Sequence, residues 1–391
     1  MTDLSELPTW LLLTPIILLT LFLFSRRRCS NNKNKSRKLP SEYFTGLNFL
    51  LNDEHDKALD IFLKLVETDW DLVDTHFALG KIFRKNGEID KAIKIHQGLI
   101  ARPSLPDEYR SKVLLELGYD YLAAGWFDRA EGLFKEVLIH DRKSEEAKRN
   151  LILIFQQEKD WRKAIDVGID LYSEGKSDVG VLISQYYCEL ADIAKTKGDI
   201  SQLAYNADQA LHYDKGSIRA LILLARHEMD KKNYKQAVYY FEQVEKRDAE
   251  FFPIILDQLI ECYHRLGDSD KLLVYLADVE LRHQTLAMIE KHAMVIERYQ
   301  SKESAIEYLT DRIRKYPNVR GLHSLIQYKT NQANVAELTL LLDLKSALVK
   351  MQKDDSDYKC QHCGFQSNTL YWLCPSCQSW AEVKPTMIEA A

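Results

Sequence analysis

Four cysteines near the C-terminus carry the most specific chemistry in this sequence. Cys360, Cys363, Cys374 and Cys377 follow C-x2-C-x10-C-x2-C within "KCQHCGFQSNTLYWLCPSCQSW". Each C-x-x-C can fold as a knuckle that aims two thiolates at one point, and two knuckles make a closed tetrahedral site of four sulfurs. Gly364 suits the tight first knuckle, and Pro375 stiffens the second. The spacer is shorter than the usual zinc-site range but long enough for a hairpin. One metal ion is expected there, zinc being favoured over iron, since a four-sulfur site accepts both.

Iron would make the site rubredoxin-like and able to carry an electron. Gln378 stands where rubredoxin has a second Gly, and the spacer between the cysteine pairs is far shorter than in a full rubredoxin, so a structural role is expected. About thirty residues do not hold a fold without a staple, and a metal provides one. Tyr358, Phe365, Tyr371, Trp372 and Trp380 exceed what so small a module can bury. It is therefore expected to dock on the preceding repeats and to cap the last of them. Disulfides are the alternative to a metal, and a cytoplasmic setting argues against them. Cys188 and Cys262 fall inside helical repeats and read as small core residues.

The elements that must position this site begin at the other end of the chain. Leu7–Phe24 is an eighteen-residue stretch without a charge. As a helix it is about 27 Å long, enough to cross a bilayer core. Trp10 suits an interface anchor. Acidic flanking residues and the lack of an A-x-A site argue against a cleaved signal peptide. Arg26, Arg27, Arg28, Lys33, Lys35, Arg37 and Lys38 follow with no acid among them. The positive-inside rule places the N-terminus outside and the body in the cytoplasm. Cys29 in this linker could be lipidated, but the simpler reading is a solvated side chain.

The middle of the chain repeats. Gly46, Gly80 and Gly118 are each followed three residues later by an aromatic and twelve residues later by Ala58, Ala92 and Ala130. Ala164 and Ala237 continue the series, and the first four alanines are spaced 34, 38 and 34 residues apart. That is the tetratricopeptide (TPR) period, with an insertion near "RPSLPDE". Gly and Ala would sit where paired helices touch, with Phe62 and Phe134 packing inward. Low Gly and Pro counts, 15 and 9 in 391 residues, agree with long helices. About eight to nine units are expected, the later ones degenerate.

The predicted architecture is all-α: a TPR superhelix with one N-terminal transmembrane helix and a small C-terminal four-cysteine metal-binding module of the rubredoxin or zinc-ribbon kind. The domains run 1–25 (anchor), 26–38 (basic linker), 39–350 (repeats) and 351–391 (four-cysteine module). The first helix of each repeat would present Phe77, Lys81, Arg84, Lys85, Tyr119, Leu122 and Arg149 to an acidic or amphipathic partner segment. An ordinary solvated charged face is the competing reading. Net charge is −5, and the basic residues concentrate in 26–38, leaving an acidic body that disfavours nucleic acid. No phosphate loop, G-x-G-x-x-G or H-E-x-x-H is present, so an enzyme is not expected.

Together with "YFTGLNFLLNDEHDKALDIFL", "HQGLI", "QYYCELA" and "TLYWLCPSCQSWAEVKP", this order of elements resembles the lipopolysaccharide assembly protein B (LapB) family. The resemblance covers nearly the whole chain. It implies a Gram-negative inner-membrane adaptor with a cytoplasmic body. Such an adaptor brings the deacetylase LpxC to the membrane protease FtsH and docks with other inner-membrane lipopolysaccharide assembly and sensing proteins. It also implies a rubredoxin-like module, ligated by Cys360, Cys363, Cys374 and Cys377, packed on the repeats. A membrane-anchored, rubredoxin-type electron carrier is the alternative; visible colour would favour it and bound zinc would remove it.

Overall fold

The structure is a computed structural model. It describes residues 41–386 except 52, 53, 55, 56, 59, 63, 65–72, 104, 284, 285, 316–318, 331–340, 343, 347 and 349–355. The predicted anchor at 1–25, the linker at 26–38 with Cys29, and the boundary near 350 lie outside the described residues. Among the described residues, no helix is long and apolar enough to cross a membrane.

Helices follow one another in hairpins. They are α1 (Ser41–Leu51), α2 (Val73–Lys85), α3 (Ile89–Ile100), α4 (Asp107–Ala123), α5 (Phe127–His140), α6 (Glu145–Gln157), α7 (Trp161–Ser173) and α8 (Val179–Thr196). Next come α9 (Ile200–Tyr213), α10 (Ile218–Asp230), α11 (Tyr234–Arg247), α12 (Phe252–Leu266), α13 (Ser269–Arg282), α14 (Leu286–Tyr299), α15 (Lys302–Lys315) and α16 (Val319–Thr330).

Six of the tight turns share one device. Gly87, Gly125, Lys159, Gly198, Lys232 and Gly267 adopt φ between 58° and 83°. The N–H that follows each of them donates to a carbonyl five residues upstream, at 2.8–3.2 Å. This ends the first helix and reverses the chain into the second. Glycine adopts this conformation without strain, whereas Lys159 and Lys232 carry a Cβ into it. Lys232→Gly should therefore stabilise the chain by about 0.5–1 kcal/mol, because strain relief exceeds the added entropy of the unfolded chain. A raised urea midpoint tests this. Lys231→Gly, at a right-handed position, should lower the midpoint.

Five residues beyond the turn lie Ala92, Ala130, Ala164 and Ala237, all fully buried. In two of the later, degenerate copies Leu203 and Leu272 take that place and are also buried. The small-residue rule is relaxed there without losing the hairpin. The predicted glycine contacts are close. A Cβ on Gly46 would stand 2.7 Å from the Phe62 ring, and one on Gly80 would overlap the His96 ring.

The chain divides into two compact units between Leu133 and Phe134. The first has a core of Ala58, Phe62, Leu79, Phe83, Ala92 and Ile95. In the second, one cluster spans α10 to α14 around Phe241, Phe251, Ile255 and Leu259. The second unit also holds a small sheet of order β2-β1-β3, from Tyr358–Cys360 (β1), Gln366–Ser367 (β2) and Val383–Pro385 (β3). Both pairings are antiparallel, with Cys360 opposite Val383.

Candidate metal centre

Both C-x-x-C segments close in the same way. The Gly364 N–H donates to the Cys360 carbonyl and the Gln378 N–H to the Cys374 carbonyl, each at 2.9 Å. The closing residues are left-handed, with φ of 77° at Gly364 and 59° at Gln378. The second knuckle thus forms with Gln where glycine was expected. β1 carries Cys360, and an isolated bridge between Leu373 and Trp380 brackets the second pair.

The four Sγ atoms lie within 4.8 Å of one another. Cys360–Cys377 and Cys363–Cys374 are each 3.7 Å apart. Thiolates about 2.3 Å from one tetrahedral ion would be about 3.8 Å apart. The donor set therefore fits a single metal ion closed by four sulfurs, a geometry that zinc and iron share. Cys360 and Cys374 are buried, while Cys363 is exposed. Burial pushes the Cys360 thiol up to about 11, while the Ser379 hydroxyl beside Cys377 draws that thiol down to about 6.

The ribbon is docked on the helices through its surplus aromatics. The Trp372 ring stacks on Phe251, with centroids 5.5 Å apart and planes at 8°. The Arg219 guanidinium lies 5.8 Å from the centroid of the same indole and is tied to Glu189 and Asp192 at 2.8 and 2.6 Å. Trp380 meets Trp161 and Tyr186 edge-on, at 6.2 and 5.9 Å. Its Nε1–H donates to Gln156 Oε1, which also accepts from the Tyr186 hydroxyl, both at 2.9 Å. Lys384 joins Asp248 and Glu250 at 2.8 Å each.

These partners lie on α6, α7, α8 and α10 and in the segment that follows α11. The expectation that the module caps the last repeats is thus corrected. The flat indole faces find matching rings in the middle of the second unit. The excess of aromatics signalled that a surface must cover them; nothing in the sequence marked Gln156, Trp161, Tyr186 or Phe251 as that surface.

The residues predicted to bind a partner are placed as follows. Lys81 pairs with Glu116 at 2.7 Å. Arg84 reaches Glu116 at 2.8 Å and Asp120 at 2.6 Å, and lies over the Tyr119 ring. Burial pulls the Arg84 guanidinium down, but the two carboxylates outweigh it and hold it above its ordinary value. Asp120 also accepts from His96 Nδ1, and both side chains are fully buried. His96 fills the place that Phe62 and Phe134 take in their own repeats. Arg149 pairs with Glu145 and Asp178, each at 2.8 Å. Phe77 is buried and Lys85 exposed. Lys81, Arg84 and Arg149 are thus engaged within the fold.

Residues 358–385 match a family described as the rubredoxin metal binding domain. Lipopolysaccharide assembly protein B of Escherichia coli strain K12 is 34% identical over 377 residues, covering 96% of this chain and 97% of that protein. Its namesake in Haemophilus influenzae Rd is 29% identical over 384 residues, with the same coverages. A tetratricopeptide repeat protein from Parabacteroides merdae aligns over 71% of this chain and 99% of its own, at 14% identity and a TM-score of 0.34. The identity to the Escherichia coli protein, sustained from end to end of both sequences, shows that this chain belongs to the lipopolysaccharide assembly protein B family.

Proposed function

We propose that this protein acts in lipopolysaccharide assembly as a non-enzymatic inner-membrane adaptor, bringing the deacetylase LpxC to the protease FtsH for degradation. The near-complete alignment with proteins named for lipopolysaccharide assembly carries the reading. The build of the chain supports it. Stacked helical hairpins offer extended surface for protein contacts. The four-sulfur site uses four protein ligands and leaves no open position for substrate, which suits a structural ion. The electron-carrier alternative gains no support from relatives named for assembly.

In this reading, Leu7–Phe24 spans the inner membrane with its N-terminus periplasmic, and the repeats lie in the cytoplasm. Confining adaptor and protease to one bilayer raises their effective concentration. A chain starting at Leu39 should therefore regulate poorly although the repeats keep their own core. LpxC half-life, compared at matched levels of full-length and truncated protein, should lengthen with the truncation. An unrelated transmembrane helix fused to the truncated chain should restore it. Equal half-lives without any anchor would refute the role of the span.

A further inference from the structure

A second feature lies on helices other than those predicted to face partners. A cleft of about 410 Å³ opens between α7, α8 and α9. That volume lies within the usual range for ligand sites, about 300–1,000 Å³. Ile165, Leu190, Ile193 and Ala194 give it an apolar lining, flanked by the rings of Tyr187 and Tyr205.

Asn206 is the informative residue. It lines the cleft and is only 7% exposed, yet its carboxamide has no hydrogen-bond partner among the described residues. Its polar atoms are not among the fully enclosed unpaired ones, so they open onto the cleft, where water or a ligand can meet them. The group is poised for a partner that arrives from outside. A carboxamide offers one acceptor and two donors, which matches the N–H and C=O of a peptide group. A hydrocarbon chain would leave it unsatisfied.

The rim carries Arg162 and Lys197 together with Asp166 and Asp199. Mixed charge of this kind does not select a polyanion or an anionic headgroup. The apolar surface also runs past the cleft. Ile193 and Tyr205 on its walls and Ile200, next to Asp199, are 38%, 54% and 54% exposed. A ligand covering that edge is longer than a small metabolite.

We propose that the α7–α8–α9 cleft binds an extended peptide segment of a partner protein. In the complex, an apolar side chain sits between Tyr187 and Tyr205, and the backbone is hydrogen-bonded by Asn206. The proposal deepens the adaptor reading and rests on it for the partner's role, but the site is testable by itself.

The test selects a phage-displayed library of short linear peptides on the detergent-solubilised full-length chain. Enriched peptides are then measured on wild type, Asn206→Ala and Tyr205→Ala. Loss of two hydrogen bonds should weaken binding about tenfold in Asn206→Ala, and Tyr205→Ala should weaken it similarly. Asn206→Ala should melt at or above wild type, because in the free protein the amide makes no bond to lose. A purely structural asparagine would give the opposite melting shift. The proposal is overturned if no peptide is enriched, if enriched peptides bind Asn206→Ala as well as wild type, or if that variant melts clearly lower. LpxC turnover is scored separately, so failure of the adaptor reading shows there while peptide binding persists.

Discussion

Cys374→Ser should strip the metal from the ribbon and loosen the helices it covers. Cys374 is fully buried and opens the second knuckle, its carbonyl accepting the closing Gln378 N–H. Removing its thiolate leaves three sulfurs around the ion. Binding of a structural zinc by such modules amounts to about 10–16 kcal/mol of folding free energy. A ribbon this small has no other staple of comparable size. Once it unfolds, Trp372 leaves Phe251, and Trp380 leaves Trp161 and Tyr186. Aromatic pairs contribute about 0.5–1.5 kcal/mol each beyond the area they bury. The three together account for about 3 kcal/mol, or about 6–12 °C of melting temperature in a unit of this size.

Metal content, thermal melting and limited proteolysis of the purified chain decide the point. Trp380→Ala separates docking from ligation: it should keep the metal and still lower the melting temperature. If Cys374→Ser loses its metal while the helices melt unchanged, the ribbon is an independent appendage.

Asp120→Ala should destabilise the first unit by about 3–5 kcal/mol, the usual effect of removing one member of a buried ionic group. Asp120 is shared by Arg84 and His96, and its side chain is fully buried. Without it, His96 has no partner at Nδ1, and its Nε2 is already buried without a hydrogen bond. Arg84 retains Glu116. His96→Phe, which restores the aromatic of the neighbouring repeats, should be far milder, because Asp120 keeps Arg84. Urea titration of both variants checks the ranking. An Asp120→Ala midpoint close to wild type would show that solvent reaches the site and that the network adds little.

The repeat was legible because it depends on local geometry. Gly46 and Gly80 lie against Phe62 and His96, and Ala58, Ala92, Ala130, Ala164 and Ala237 are all fully buried. A helix pair that must come close at one point can accept only small residues there, so the period is written in the chain. The degenerate copies were harder to read because Leu203 and Leu272 replace alanine. Neighbouring side chains absorb the difference, and sequence alone does not show that they can.

The four-cysteine cluster was likewise readable from the chain, since each C-x-x-C spacing closes as a local knuckle. Knuckle geometry needs no distant partner. Where the ribbon sits does need one. Trp380 meets Gln156 across more than two hundred residues, and no periodicity links them. Lys81, Arg84 and Arg149 read as a basic surface in sequence, yet the fold turns them onto Glu116, Asp120 and Asp178. Charge is a property of the residue, but whether that charge is free depends on which helix faces it. The sequence by itself determined the repeat, the four-cysteine cluster and the family. Tertiary structure alone decided the ribbon's seat, the buried His96–Asp120–Arg84 group and the unpaired Asn206, because each depends on side chains that only packing brings within a few ångströms.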